Sequence, residues 1–251
     1  MADFVSISAA RRLEGLRLVL LQGMPSPWGQ AAKGIFELKR IPYTRVHRSA
    51  DDPAGVLMEW THQDSFPAAM YEDERPRTGW SEILFLAERL APEPSLIPRD
   101  PADRALMFGL SHEICGEMGL GWARRLMQLA PAMASATDPM MKGFAHKYGS
   151  SPGELKAAGQ RVVEVLELLA RQLRTAGKGF LVGGALSAVD VYWATFCNLI
   201  SPLPAPQLPL PENVRGLFTA REPEVAAALD PALLEHRDRI YRQYLKLPVE
   251  L

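Results

Sequence analysis

The residues best placed to do chemistry are Ser26-Pro27-Trp28, which follow the apolar run Leu18–Leu21 and the breakers Gly23 and Pro25. Serine before proline is a helix-start signal. The serine oxygen can satisfy a free backbone N–H, and proline fits the first helical position because no partner needs its missing N–H. A helix N-terminus also carries about half a positive charge and unsatisfied donors, so it favours an anion. Two uses of Ser26 therefore stand side by side. It caps a helix, or its hydroxyl donates a hydrogen bond to a bound thiolate.

The surrounding pattern supplies elements to hold that residue. Leu18–Leu21 reads as a buried strand, and Trp28, Ala31, Ala32, Ile35 and Leu38 recur at helical spacing after it. A turn at Arg40-Ile41-Pro42 leads into a second strand through Val46. Turn-rich residues 49–55 precede a short helix over Val56–Gln63, where His62 and Gln63 are either a polar surface or contacts for a bound peptide. Phe66-Pro67 opens a third strand, and an amphipathic helix follows the charged turn. By itself Pro67 is an ordinary strand-edge proline. Met1–Glu14 contains Arg11 and Arg12 but no apolar signal core, and reads as a loosely ordered extension over residues 1–15.

Residues 91–101 form a proline-rich linker, after which strand patterns stop. The expected division is an extension over 1–15, an α/β domain over 16–91, a linker over 92–103 and an all-helical domain over 104–251. Leu106, Leu110, Ile114 and Met118 trace a helix that glycines break near Gly119. Trp122 follows, readable as core or as a pocket wall. Met133, Met140 and Met141 read as packing or as the lining of a tolerant pocket. Leu155 to Leu173 gives an amphipathic helix ending near Gly177. Ser187 and Asp190 have the spacing of a reciprocal capping pair, a structural role. Residues 202–211 read as an extended surface strap. A last helix lies within 230–247, with Arg237, Arg239 and Arg242 on its solvated face.

Composition narrows the function classes. Twenty-eight basic against 29 acidic residues give a net charge of −1, which offers no general attraction to nucleic acid or a membrane surface. No apolar run is long enough to cross a bilayer. Cys115 and Cys197 lack metal or redox spacing, read as buried fillers and suit a reducing compartment. There is no P-loop, dinucleotide fingerprint or His-Glu-x-x-His.

The order of elements, the Ser-Pro-aromatic triplet and the proline that opens the third strand resemble the cytosolic glutathione transferases over nearly the whole chain. The triplet is similar to the plant tau-class pattern, and a cysteine stands at the Ser26 position in the omega class. The resemblance implies a thioredoxin-like domain followed by an all-helical one. It implies a cytoplasmic homodimer that uses glutathione as co-substrate and no metal, with Ser26 as catalytic residue. Glutathione contacts would come from Pro27, Trp28, Phe66, Pro67, Ser81 and Glu82, with Pro67 in cis. Trp122 would line the pocket of an apolar electrophile. The family's Glu-Ser pair is not kept, because Trp80 stands before Ser81 where the acidic residue belongs. Thr78-Gly79 is the alternative register. Glu82 is either a displaced acidic partner or a first-turn glutamate favoured by the helix dipole. Conjugation, ether cleavage or isomerisation, and non-catalytic binding all fit this resemblance. Thiol transfer fits less well without a cysteine at position 26.

Overall fold

A computed structural model describes residues 4–134, 142, 148–149 and 151–251, without the side chains of residues 131–134. The chain divides into two compact units, Met1–Leu96 with Leu251, and Ile97–Glu250. The first is thioredoxin-like and the second is built from helices.

The first unit runs β1 (Val5–Ser6), α1 (Ile7–Ala10), β2 (Leu16–Val19), α2 (Pro27–Leu38), β3 (Thr44–His47), α3 (Val56–Thr61), β4 (Ala68–Tyr71) and α4 (Trp80–Leu90). The sheet order is β1-β3-β2-β4. β3 pairs parallel with both β1 and β2, whereas β4 runs antiparallel to β2 with Val19 opposite Ala68. Strand side chains alternate between faces. Val19, Val46 and Ala68 meet Ile7 and Ala10 of α1 and Val56 and Leu57 of α3 in one buried cluster. α2 packs against α4. A buried ion pair fixes that contact, since Lys39 Nζ lies 2.7 Å from Glu88 and donates to the Pro94 carbonyl at 2.8 Å.

The start of the chain corrects the expectation of a loose extension. Two of its apolar residues, Ile7 and Ala10, are entirely buried. The Asp52 carboxylate clamps the segment by accepting hydrogen bonds from the Ile7 and Ser8 amides, the Ser8 hydroxyl and the Ser49 amide. A composition-based reading misses this because the partner lies about forty-five residues away.

In the second unit, α5 (Pro101–Cys115) and α6 (Leu120–Ala134) are separated by the expected break. A Cβ on Gly119 would lie 2.7 Å from the Glu113 carbonyl oxygen, so the backbone passes where no side chain fits. α7 (Pro152–Ala176) buries Ala158, Val162, Val165, Leu166 and Leu169 and ends at Gly177 with φ 64°. α8 (Ala188–Phe196) is buried along its whole length and runs into a short 3-10 turn, Cys197–Leu199. α9 (Glu212–Phe218), α10 (Pro223–Ala228) and α11 (Pro231–Tyr244) complete the unit. Residues 202–211 form no regular element but are anchored by the fully buried Leu203 and Leu208, which corrects the surface-strap reading. Met140 and Met141, and the side chain of Met133, lie outside the described residues.

Two polar readings change. Arg237 is buried, and its guanidinium donates to the Ser201 carbonyl and lies 3.7 Å from Cys197 Sγ, so this part of α11 is not a solvated face. Asp190 does more than cap. One carboxylate oxygen accepts from the Ser187 amide and hydroxyl, and the other from the Leu181 amide, with His236 Nε2 at 2.9 Å. The Ser187–Asp190 capping box is present, and the Ser187 hydroxyl also donates to the carboxylate. Both cysteines are buried, and that burial raises their thiol pKa values, Cys197 to about 11.

Two outcomes follow from these carboxylates. Asp190→Ala strands several buried donors, and equilibrium denaturation should show a loss of about 3 kcal/mol or more. Burial alone would raise the Asp52 pKa, but the hydrogen bonds from Ser8, Ser49 and Ile7 outweigh it and hold the group at about 2. A depressed folded value means stabilisation that is complete above the unfolded value of about 3.9 and lost as the pH falls through the folded one. Asp52→Ala should therefore destabilise the protein by about 2–3 kcal/mol at neutral pH. That difference should shrink between pH values of about 4 and 2. Amide exchange at residues 7 and 8 should accelerate with it.

Candidate functional site

Ser26 sits where β2 hands over to α2. Its amide donates to the Met24 carbonyl, and its own carbonyl accepts the Gln30 amide, closing the first helical turn, each at 2.8 Å. Pro27 is buried at the first helical position, and Trp28 is half-buried. The Ser26 side chain makes no capping hydrogen bond, which corrects the expectation that it serves as the cap. The hydroxyl is half-buried at the positive end of a twelve-residue helix. Gly29, which the sequence reading passed over, lets α2 lie close to the strand. A Cβ there would meet Leu20 Cδ2 at 3.2 Å. A glycine in the first turn of an otherwise good helix was the available signal.

Strand register brings two further segments to the same end of the sheet. Val19 at the end of β2 pairs with Ala68 at the start of β4, so the loop carrying Ser26 and the Phe66-Pro67 pair leave the sheet together. The Phe66–Pro67 peptide bond is cis. Among the described residues, neither the amide nor the carbonyl of Phe66 makes a backbone hydrogen bond. Gln63 shapes this loop from within. Its amide nitrogen donates to the Ser65 carbonyl at 2.9 Å and to the Pro67 carbonyl at 3.0 Å. His62 is exposed at the C-cap of α3 with φ 57°.

The third segment arrives through a contact that sequence reading did not contain. Ala69 and Arg77 exchange both backbone hydrogen bonds at 2.9 Å in an isolated antiparallel bridge. Counting on from that pair sets Gly79 beside Pro67, so α4 begins at the same end of the sheet. Trp80 and Ser81 are its first two residues, and both are half-buried. Glu82 folds back to accept the amides of Thr78 and Gly79 at 3.0 Å each, and its second oxygen takes Arg75 at 2.7 Å. Burial raises its pKa, but those amides and the guanidinium outweigh it, and the net shift is downward. Its carboxylate is therefore occupied as a first-turn cap. Of the two readings of Glu82, this is the structural one.

Trp122 lies on α6 in the second unit, half-buried, with its ring centre 4.7 Å from that of Tyr148 in an edge-on arrangement. Among the described residues, no helix is long and apolar enough to cross a membrane.

No protein-family model matches the sequence, and no curated protein does. Solved structures do match its fold. A glutathione S-transferase from Methylobacterium radiotolerans, in complex with glutathione sulfonate, superposes with a TM-score of 0.60 at 21% identity, over 92% of each chain. One from Methylobacillus flagellatus with glutathione bound reaches 0.65 at 13% identity, over 94% of this chain and all of the other. A beta-etherase from a Sphingobium strain reaches 0.55 at 18% identity, over 90% and 99%. The chain has the glutathione S-transferase fold, a thioredoxin-like unit followed by a helical one.

The Glu82 cap can be tested directly. Glu82→Ala should lower stability by about 0.5–2 kcal/mol, the scale of a lost N-terminal cap. Because the folded pKa lies below the unfolded value of about 4.3, this stabilisation is present at neutral pH. It should disappear on acidification in a urea titration series, and Glu82→Gln should lose its pH dependence.

Proposed function

We propose that this chain is a member of the glutathione S-transferase superfamily, that it binds glutathione at the end of the sheet described above, and that it conjugates the activated thiol to an apolar electrophile. The observation that carries the reading is the Ser26 hydroxyl, which makes no capping bond at the N-terminus of α2, beside Phe66, whose amide and carbonyl make no backbone hydrogen bond among the described residues. Neighbours of the same fold with glutathione or glutathione sulfonate bound support it.

Each residue then has a physical task. A free thiol has a pKa of about 8.5 and is mostly protonated at neutral pH. Lowering it by about two units needs roughly 2.7 kcal/mol of preference for the thiolate. A hydrogen bond to a charged group supplies about 1.5–3 kcal/mol, and a helix N-terminus about 0.3–1 kcal/mol more. Ser26 and the first turn of α2 suffice for that shift. The Phe66 amide and carbonyl pair with the peptide backbone of glutathione as a short added strand, and Pro67 holds that edge open. At α4, Trp80 offers no carboxylate and that of Glu82 is spent. Recognition there rests on the γ-glutamyl carboxylate, held by the Ser81 hydroxyl and the first-turn amides. Trp28 and Pro27 shape the wall by the thiol. The enzyme acts as a cytoplasmic homodimer in this reading.

The decisive measurement is the thiolate absorbance of protein-bound glutathione against pH. Ser26→Ala and Ser26→Gly should each raise the bound thiol pKa by roughly one unit. Because the hydroxyl does not cap α2, Ser26→Ala should change stability by no more than about 0.5 kcal/mol. A titration that does not move in either variant would remove Ser26 from the chemistry.

A further inference from the structure

Arg17 is an arginine in the middle of a strand, only 5% exposed. Its neighbours in β2 are apolar, and the alternation of the strand turns it toward α3. One terminal nitrogen donates to the Leu13 carbonyl and the other to the Glu72 carbonyl, the latter at 2.7 Å. The guanidinium carbon stands 5.8 Å from the centre of the Trp60 ring. Among the described residues no carboxylate pairs with it, and its buried Nε has no acceptor. Carbonyls and an aromatic face ease the burial of a cation, but they do not neutralise it.

This side chain lines a cavity of about 560 Å³ in the first unit, a size that suits a small organic ligand. The cavity is formed by the turn after α1, the end of α3 and the segment that follows β4. It contains none of Ser26, Phe66, Pro67 or Ser81. Of its three other arginines, Arg11 pairs with Glu59 and Arg75 with Glu82. Arg12 is exposed, and its side chain has no ion pair or hydrogen bond among the described residues. Among the described residues, two guanidinium groups around one cavity thus lack counter-ions, one at its wall and one at its rim.

We propose that this cavity is a second ligand site, selective for a small organic monocarboxylate whose oxygens take the place of the counter-ion that Arg17 lacks. The planar guanidinium matches a carboxylate in geometry. The lining carries four arginines and four acidic residues, a neutral balance that favours a single negative charge over a polyanion. Trp60, Met70 and Leu13 provide apolar surface for the body of the ligand. The site does not depend on the glutathione reading.

Benzoate is the probe, titrated calorimetrically into the full chain, with inorganic phosphate in parallel. One benzoate per chain should bind with a dissociation constant of about 1 mM or tighter, and phosphate should bind more weakly. Arg17→Met should abolish binding. Since that variant can fail to fold, two surface changes carry the test independently. Arg12→Ala should weaken benzoate at least about tenfold, and Leu13→Trp should block it by filling the mouth. Saturating glutathione and Ser26→Ala should leave it unchanged. Absent binding, phosphate bound as tightly as benzoate, displacement by glutathione, or a folded Arg12→Ala and Leu13→Trp pair that bind like wild type would each overturn the proposal.

Discussion

The pair formed by Lys39 and Glu88 governs the geometry of the first unit. Lys39 is the residue that ends α2, its side chain is wholly buried, and it reaches a carboxylate on α4. Glu88 also accepts the Ser95 hydroxyl and the Leu96 amide. A buried charge left alone is costly, so either partner without the other would destabilise the fold by about 3–5 kcal/mol. The pair therefore fixes how α2 and α4 lie against each other. The N-termini of those two helices carry Ser26 in one case and Trp80, Ser81 and Glu82 in the other. Helices are stiff, so a contact near their far ends sets where their first turns point.

The second unit uses a buried carboxylate for a different purpose. Asp190 gathers the start of α8, the Leu181 amide and His236 of α11. Trp193 adds a hydrogen bond from its ring nitrogen to the Leu233 carbonyl at 3.0 Å. These are buried polar contacts around an apolar helix. Such contacts specify one packing where hydrophobic burial alone would tolerate several.

Arg17 and Ser26 show how one strand serves two ends of a sheet. β2 carries a buried cation in its body, facing the turn after α1, and delivers a hydroxyl beyond its last residue. The segment before β2 makes the difference at the first place. Residues 11–14 border the cavity because Ile7 and Ala10 dock and Asp52 clamps the Ile7 and Ser8 amides. Without that layer the guanidinium would face open water.

Local pattern was enough for much of this protein. A first strand (read over Leu18–Leu21 and found over Leu16–Val19, with Leu21 exposed), the helix start at Ser26-Pro27, the break near Gly119 and the end at Gly177 are written in residue types that act within a few positions. So was the order of elements from α2 to α4, and the change to helices after it, because hydrophobic period and proline placement change together at the linker. What the sequence could not contain was the outcome of competition among distant groups. Ser26 has the chemistry of a cap, yet the folded loop leaves its hydroxyl uncommitted. Glu82 has the chemistry of a ligand contact, yet Arg75 and two backbone amides claim it first. Arg237 falls on a polar helix face, yet the Ser201 carbonyl draws it inward. The N-terminal residues look loose until a carboxylate at position 52 meets their amides. In each case the side chain can form several hydrogen bonds of similar strength, and only the tertiary arrangement decides which partner lies within reach.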